Sequence, residues 1–212
     1  MRAGLIAKGW LSAGLLAAAM AAAQGLESPV SIGFVIDTSQ SMRTHEPVAR
    51  AALRGLLQAL QPGDEAMLVN FGRDTYFDLD LTSDIAKLET AAYAIDSSSG
   101  SAIWDSMGLS LARLEKSGKR TKKVLVVATD GDDTSSHESF DRLLQQARKS
   151  GVQVYAIGLI GRETRRDAQA ARRALRALAE ASGGRDFYPK NLDQVEDATA
   201  QITREIRDDS AK

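Results

Sequence analysis

The chain has 212 residues, a formal net charge of −1 from 27 basic and 28 acidic side chains, two histidines and no cysteine. Disulfides and thiolate-held metals are therefore excluded, and His45 and His137 are too few for an imidazole-rich metal site. Any bound metal must be held by oxygen, and the near-neutral balance calls for neither nucleic acid nor a membrane surface as partner.

Arg2 and Lys8 precede an apolar run over 10–23 that ends in Ala21-Ala22-Ala23 before Gln24. This is the form of a signal peptide spanning 1–23, with a second cleavage choice after Gly25. The run is short for a membrane span, an uncleaved anchor being the alternative, and no cysteine follows that could carry a lipid. The expected product is exported, periplasmic or secreted, with no transmembrane segment in the mature chain. Losing Arg2 and Lys8 moves the formal charge from −1 to −3. The remaining stretch, about 190 residues, has the size of one domain with a full core.

From residue 30 onward apolar runs alternate with amphipathic stretches. Strands are expected over 30–36, 66–71, 75–79, 124–129, 152–157 and, weakly, 185–188. Helices are expected over 46–60, 84–95, 102–116, 138–149, 163–181 and 195–206. In the first helix Ala49, Leu53, Leu56, Leu57 and Leu60 recur at helical spacing, and Gln61-Pro62-Gly63-Asp64 ends it with turn chemistry. Val124-Leu125-Val126-Val127-Ala128 is continuously apolar, as in a strand covered on both faces. Strands alternating with helices imply a parallel sheet with helices on both sides, and Gly72-Arg73-Asp74 joins strands two and three as an edge hairpin. One doubly wound α/β domain over 28–208 is expected.

Three loops of this domain carry candidate chemistry. The first strand stops at Asp37 and opens into Thr38-Ser39-Gln40-Ser41, an Asp-x-Ser-x-Ser pattern at a strand's carboxyl end, where such sheets bind ligands. The fourth strand stops in the same way at Thr129-Asp130-Gly131-Asp132-Asp133-Thr134. If strands one and four are neighbours, Asp37 and Asp130 face each other across the crevice, and two carboxylates that close repel unless a cation lies between them. Ser97-Ser98-Ser99-Gly100-Ser101, ahead of the third helix, adds hydroxyls without charge. Together the three loops offer two carboxylates, Asp37 and Asp130, and at least three hydroxyls, an oxygen-only supply that suits Mg²⁺, Mn²⁺ or Ca²⁺ with positions left for water and one open for a ligand carboxylate. Each loop also has a plainer reading. Ser41 or Thr44 could cap the helix from Glu46, Ser101 could cap its own helix, and Asp130-Gly131 is a common turn pair.

Asp37-x-Ser39-x-Ser41 resembles the first loop of the metal-ion-dependent adhesion site of von Willebrand factor type A domains. Gly100-Ser101-Ala102-Ile103-Trp104-Asp105 resembles the second loop and Thr129-Asp130-Gly131 the third. Val154-Tyr155-Ala156-Ile157-Gly158 and Ala181-Ser182-Gly183-Gly184-Arg185 resemble bacterial members, particularly secreted ones, and extend the similarity over nearly the whole mature chain. The resemblance implies a six-stranded sheet of order 3-2-1-4-5-6 with a short antiparallel third strand. It also implies that Ser39 and Ser41 bind the metal directly, that Ser101 binds it directly or through water, and that Asp37 and Asp130 act mainly through bound waters. The departure is Ser101, where the family usually has Thr. Serine keeps the oxygen but loses the β-branch that restricts χ1. Asp132 and Asp133 are expected to add negative charge at the rim.

The expected function is a non-enzymatic adhesion or interaction module, monomeric outside its complex, that bridges its cation to an acidic side chain of a partner protein. A metal-dependent phosphohydrolase built on Asp37 is the alternative from another class, weakened by Ser39 standing where a second acid is needed. A scaffolding domain with an inert metal site is the third. Arg162, Arg165, Arg166, Arg172, Arg173 and Arg176 form a helical stripe read as a solvated face, and Lys119-Arg120-Lys122-Lys123 is read as an exposed turn.

Overall fold

The computed structural model describes residues 28–93, 99–161 and 164–208. The expected signal peptide, Ser97, Ser98 and Arg162 lie outside the described residues. A six-stranded sheet carries the order β3-β2-β1-β4-β5-β6. Its strands are β1 (Val30–Asp37), β2 (Glu65–Phe71), β3 (Thr75–Thr82), β4 (Lys122–Thr129), β5 (Val152–Gly158) and β6 (Asp186–Phe187). Every neighbouring pair is parallel except β2–β3, which is antiparallel through the expected hairpin. Among the described residues six α-helices flank the sheet: α1 (Glu46–Gln58), α2 (Ile85–Tyr93), α3 (Ile103–Ser117), α4 (Phe140–Lys149), α5 (Arg165–Ser182) and α6 (Leu192–Arg207).

The core lies in two layers because alternate side chains of each strand point to opposite faces. On one face Ile32, Phe34 and Ile36 of β1 pack with Leu53, Leu56 and Leu57 of α1 and with Ile202 and Ile206 of α6. On the other, Val35 joins Met67, Val69 and Phe71 of β2 and Ile103, Met107, Leu111 and Leu114 of α3. Gly33 lets this second layer close in, since a Cβ there would stand 2.8 Å from both Leu125 Cδ1 and Met67 Cε. Burying side chains of this size contributes roughly 1.5–3 kcal/mol each, so the sheet is a stiff platform for the loops at its ends.

Element ends differ from the sequence reading where a side chain intervenes. Helix α6 begins at Leu192, three residues before the expected start, because the Asn191 side chain accepts from Gln194 N at 3.0 Å and caps it. Helix α4 begins at Phe140 rather than 138, capped by Ser139, which leaves a longer loop after β4. Strand β3 runs on to Thr82, with exposed Asp78 and Asp80 marking it as a sheet edge. Lys122 and Lys123, read as part of an exposed turn, instead open β4. The arginine stripe is partly engaged: the Arg172 guanidinium lies 4.1 Å from the Tyr188 ring centroid, and Arg176 pairs with Asp186 at 3.2 Å. Among the described residues no helix is long and apolar enough to cross a membrane.

Candidate metal centre

β1 and β4 are parallel neighbours whose connections lead to opposite sides: β1 leads on to β2 on one side, β4 to β5 on the other. The loops leaving their carboxyl ends therefore part and open the crevice expected at such a switch point. Asp37 and Asp130 end at that crevice and are 2% and 1% exposed, so two carboxylates are buried side by side.

Loop one is built for that placement. Thr38 donates both its amide, at 2.8 Å, and its hydroxyl, at 2.9 Å, to the Phe71 carbonyl, which ties the loop to the end of β2. The chain then turns through a short 3₁₀ helix, Gln40–Thr44, anchored by buried Met42. Ser39 N donates to Asp37 Oδ1 at 2.9 Å, and the Ser39 and Ser41 hydroxyls lie 3.1 Å apart. Ser39 is buried and Ser41 exposed, so the pair runs from the crevice floor to its mouth. The cap reading of Ser41 and Thr44 fails: the residue at the cap of α1 is His45, and no side chain caps that end.

Loop two presents Ser101, 3% exposed, with its hydroxyl 3.5 Å from Asp37 Oδ2, a long contact. Ser101 does not cap α3 either, because Ala102 holds the cap position and carries no side-chain cap bond. Arg73 N donates to Ser99 O and Ala102 N to Gly72 O, both at 2.7 Å, pinning loop two against the β2–β3 hairpin.

Loop three supplies Asp130 and a residue the sequence reading passed over as a ligand support. The Thr129 hydroxyl donates to Asp37 Oδ2 at 2.6 Å and accepts from Gly131 N at 3.0 Å, linking the first and third loops through one oxygen. The signal available in the sequence was a hydroxyl residue closing a buried strand one position before the acid. Gly131 has φ 82°, and a Cβ there would stand 2.7 Å from Ala171 Cβ, so the position after Asp130 needs a glycine. Asp130 Oδ1 accepts from Asp132 N at 3.1 Å, but Asp130 Oδ2 is buried with no hydrogen-bond partner among the described residues. Asp133, expected at the rim, is half-buried, and its Oδ1 accepts from Ile103 N at 2.9 Å.

Burial raises the Asp37 carboxyl to about 6; hydrogen bonds from Ser39 and Thr129 oppose that rise, and the neighbouring Asp130 charge adds to it. A buried carboxylate oxygen without a donor is costly, on the order of 1–3 kcal/mol or more. A divalent cation would meet that oxygen, offset the repulsion between the two acids and draw on the hydroxyls of Ser39, Ser41 and Ser101. The residues present fit such an ion: all donors are hard oxygens. Among the described residues no three His, Cys, Asp or Glu side chains gather as a metal site, so hydroxyls must complete the set. Both histidines are engaged elsewhere. His137 Nδ1 lies 3.2 Å from Asp105 Oδ2, and the His45 ring rests against Gly161.

The family model for the von Willebrand factor type A domain matches residues 31–201. No curated protein sequence matches the chain. Among solved structures, an aerotolerance-related membrane protein from Bacteroides fragilis is 20% identical with a TM-score of 0.63, over 83% of this chain and 99% of that one. A von Willebrand factor type A structure from Catenulispora acidiphila is 18% identical with a TM-score of 0.69, over 85% of this chain and 43% of that one. The pilus adhesin SpaC from Lactobacillus rhamnosus GG, in its open conformation, is 15% identical with a TM-score of 0.68, over 84% and 30%. At these identities the likeness is one of fold.

Proposed function

The chain belongs to the von Willebrand factor type A domain family, and on that premise we propose that it is an exported, non-enzymatic protein-binding module whose metal-ion-dependent adhesion site holds Mg²⁺. Asp37, Ser39, Ser41, Ser101 and Asp130 would hold the ion, with Mn²⁺ or Ca²⁺ as substitutes. When bound, the cation supplies a positive Lewis-acidic centre with a coordination position open to an acidic side chain of a partner protein.

The observation that carries this reading is Asp130 Oδ2, buried and without a donor among the described residues, beside a second buried aspartate. The chain's own residues do the rest. Ser39 N and Thr129 Oγ1 orient the Asp37 carboxylate, Thr38 fixes the loop to β2, and exposed Ser41 brings a hydroxyl to the mouth. Export is supported by Arg2, Lys8 and the apolar run over 10–23. That solved neighbours include a pilus adhesin and a type V pili tip protein agrees with an interaction role for this fold.

Calorimetric titration with Mg²⁺, Mn²⁺ and Ca²⁺, run beside Asp130→Ala, is the test. Heat and thermal stabilisation in the wild type that vanish in Asp130→Ala support the reading, while no response to any ion makes the site inert. Capture of a partner from an envelope extract should then fail in EDTA and with Asp37→Ala; chelator-insensitive capture removes the metal-bridged mode.

A further inference from the structure

The first amides of a helix lack intrahelical partners, and a capping side chain just ahead of the helix normally takes them. Helix α3 is capped from elsewhere. Ile103 N donates to Asp133 Oδ1 at 2.9 Å, while Trp104 N and Asp105 N both donate to Ser136 Oγ, at 3.0 and 3.2 Å. Ser136 Oγ in turn donates to Asp133 Oδ1 at 2.6 Å, so both acceptors belong to one unit on the loop after β4. The bonding is reciprocal. Asp105, in the first turn of α3, accepts from His137 N at 3.0 Å and from Glu138 N at 2.8 Å.

Ser101 sits inside this clamp. Its carbonyl accepts from Thr134 N and Ser135 N, both at 2.9 Å, and its amide donates to Thr134 Oγ1 at 3.1 Å. Gly100 before it is wedged so tightly that a Cβ would stand 2.8 Å from Ser135 Oγ and 3.2 Å from Arg73 Cβ. Serine lacks the β-branch that would restrict χ1 by itself. The direction of the Ser101 hydroxyl therefore depends on how firmly its backbone and the start of α3 are held.

The geometry points to Asp133 and Ser136 as positioning residues for the cation site: by capping α3 from the third loop they fix Ser101 next to Asp37, and cation affinity depends on them although neither is a ligand. This rests on the metal-binding reading of the same site. Partners that orient ligands in this way typically change metal affinity about 10–100-fold when removed.

The test is Mn²⁺ affinity, by calorimetry at 25 °C on folded protein, for wild type, Asp133→Ala, Asp133→Asn and Ser136→Ala. Asn keeps the accepting oxygen and removes the charge, so it separates capping from a through-space charge effect. The expected result is a loss of about 10-fold for Asp133→Ala, about 3-fold for Ser136→Ala, and a return to within about 2-fold of wild type for Asp133→Asn. Amide exchange at Ile103 and Trp104 should quicken in the Ala variants alone, which gives a metal-free readout. Should Asp133→Ala not fold, Ser136→Ala against Asp133→Asn decides the matter. Asn as weak as Ala overturns the positioning role in favour of charge. Unchanged affinity in Asp133→Ala or Ser136→Ala, with only a lower Tm, reduces the clamp to fold stability. A wild type that binds no cation overturns the metal-binding reading and this inference together, whereas binding that ignores both residues overturns this one alone.

Discussion

The sheet buries aspartates at both ends, and the two ends treat them oppositely. At the amino ends of the strands, Asp64 is 4% exposed and fully served by its own chain. Arg207 from the end of α6 grips both of its oxygens, at 3.0 and 2.5 Å, and the amides of Val30 and Gln61 donate at 2.9 and 2.8 Å. Burial opposes ionisation there, yet Arg207 and the two amides together hold the carboxyl below its ordinary value. At the carboxyl ends, Asp37 has only neutral donors, faces Asp130, and is pushed up to about 6. One end is electrostatically complete and fastens α6. At the other, no ion pair to Asp37 or Asp130 is found among the described residues, and this is the end that carries the proposed cation site.

Breaking the complete end should cost most. Asp64→Ala takes away the carboxylate paired with the Arg207 guanidinium, whose side chain is 8% exposed, and about 3–5 kcal/mol of stability should be lost in urea denaturation. Asp130→Ala should behave in the contrary way: cation affinity falls at least about 100-fold in calorimetry, while the metal-free protein loses little stability because a repulsion is relieved. A metal-free Asp130→Ala as unstable as Asp64→Ala would erase the contrast between the ends.

The pH dependence sharpens it further. The folded Asp37 value lies above the unfolded one, 3.8, so the folded state holds the proton longer. Metal-free stability should therefore fall as pH rises from about 4 to about 6, by on the order of 2 kcal/mol. Asp64 has the opposite sign. Its contribution is complete above about 4 and is lost as pH falls through its lowered folded value. Urea titrations across pH 3–7, with Asp37→Asn as control, should show the downward slope vanish in that variant, and saturating Mg²⁺ should abolish it in the wild type. The smallest effect is expected from Ser101→Thr. Restoring the β-branch should tighten Mg²⁺ by no more than about 3-fold, under 1 kcal/mol, since the clamp on the Ser101 backbone already limits its freedom.

How much of this was legible before folding depended on the range of the interactions. Asp37 and Asp130 could be found because each ends an apolar run, and periodicity reports strand ends directly. The start of α6 was missed by three residues because Asn191 caps through a local bond that apolar spacing does not register. Thr129 shows in the sequence only as part of a motif, since its bond to Asp37 spans 92 residues of sequence. Asp133 reads as a rim charge because an acid beside Asp132 looks solvated; its partner, Ile103 N, lies 30 residues earlier. Ser101 and Ser41 each carried a capping alternative that only the real caps, Ala102 and His45, could remove.

The sequence by itself determined the α/β alternation, the edge hairpin, the oxygen-only character of any metal site and the three loops that offer it. Those follow from residue type and short-range period, which act along the chain. The tertiary structure alone decided that Asp130 Oδ2 has no donor among the described residues, that Thr129 joins two loops, and that α3 is capped by Asp133 and Ser136. Each of these is a pairing between segments far apart in sequence, fixed only when the sheet order brings their ends together.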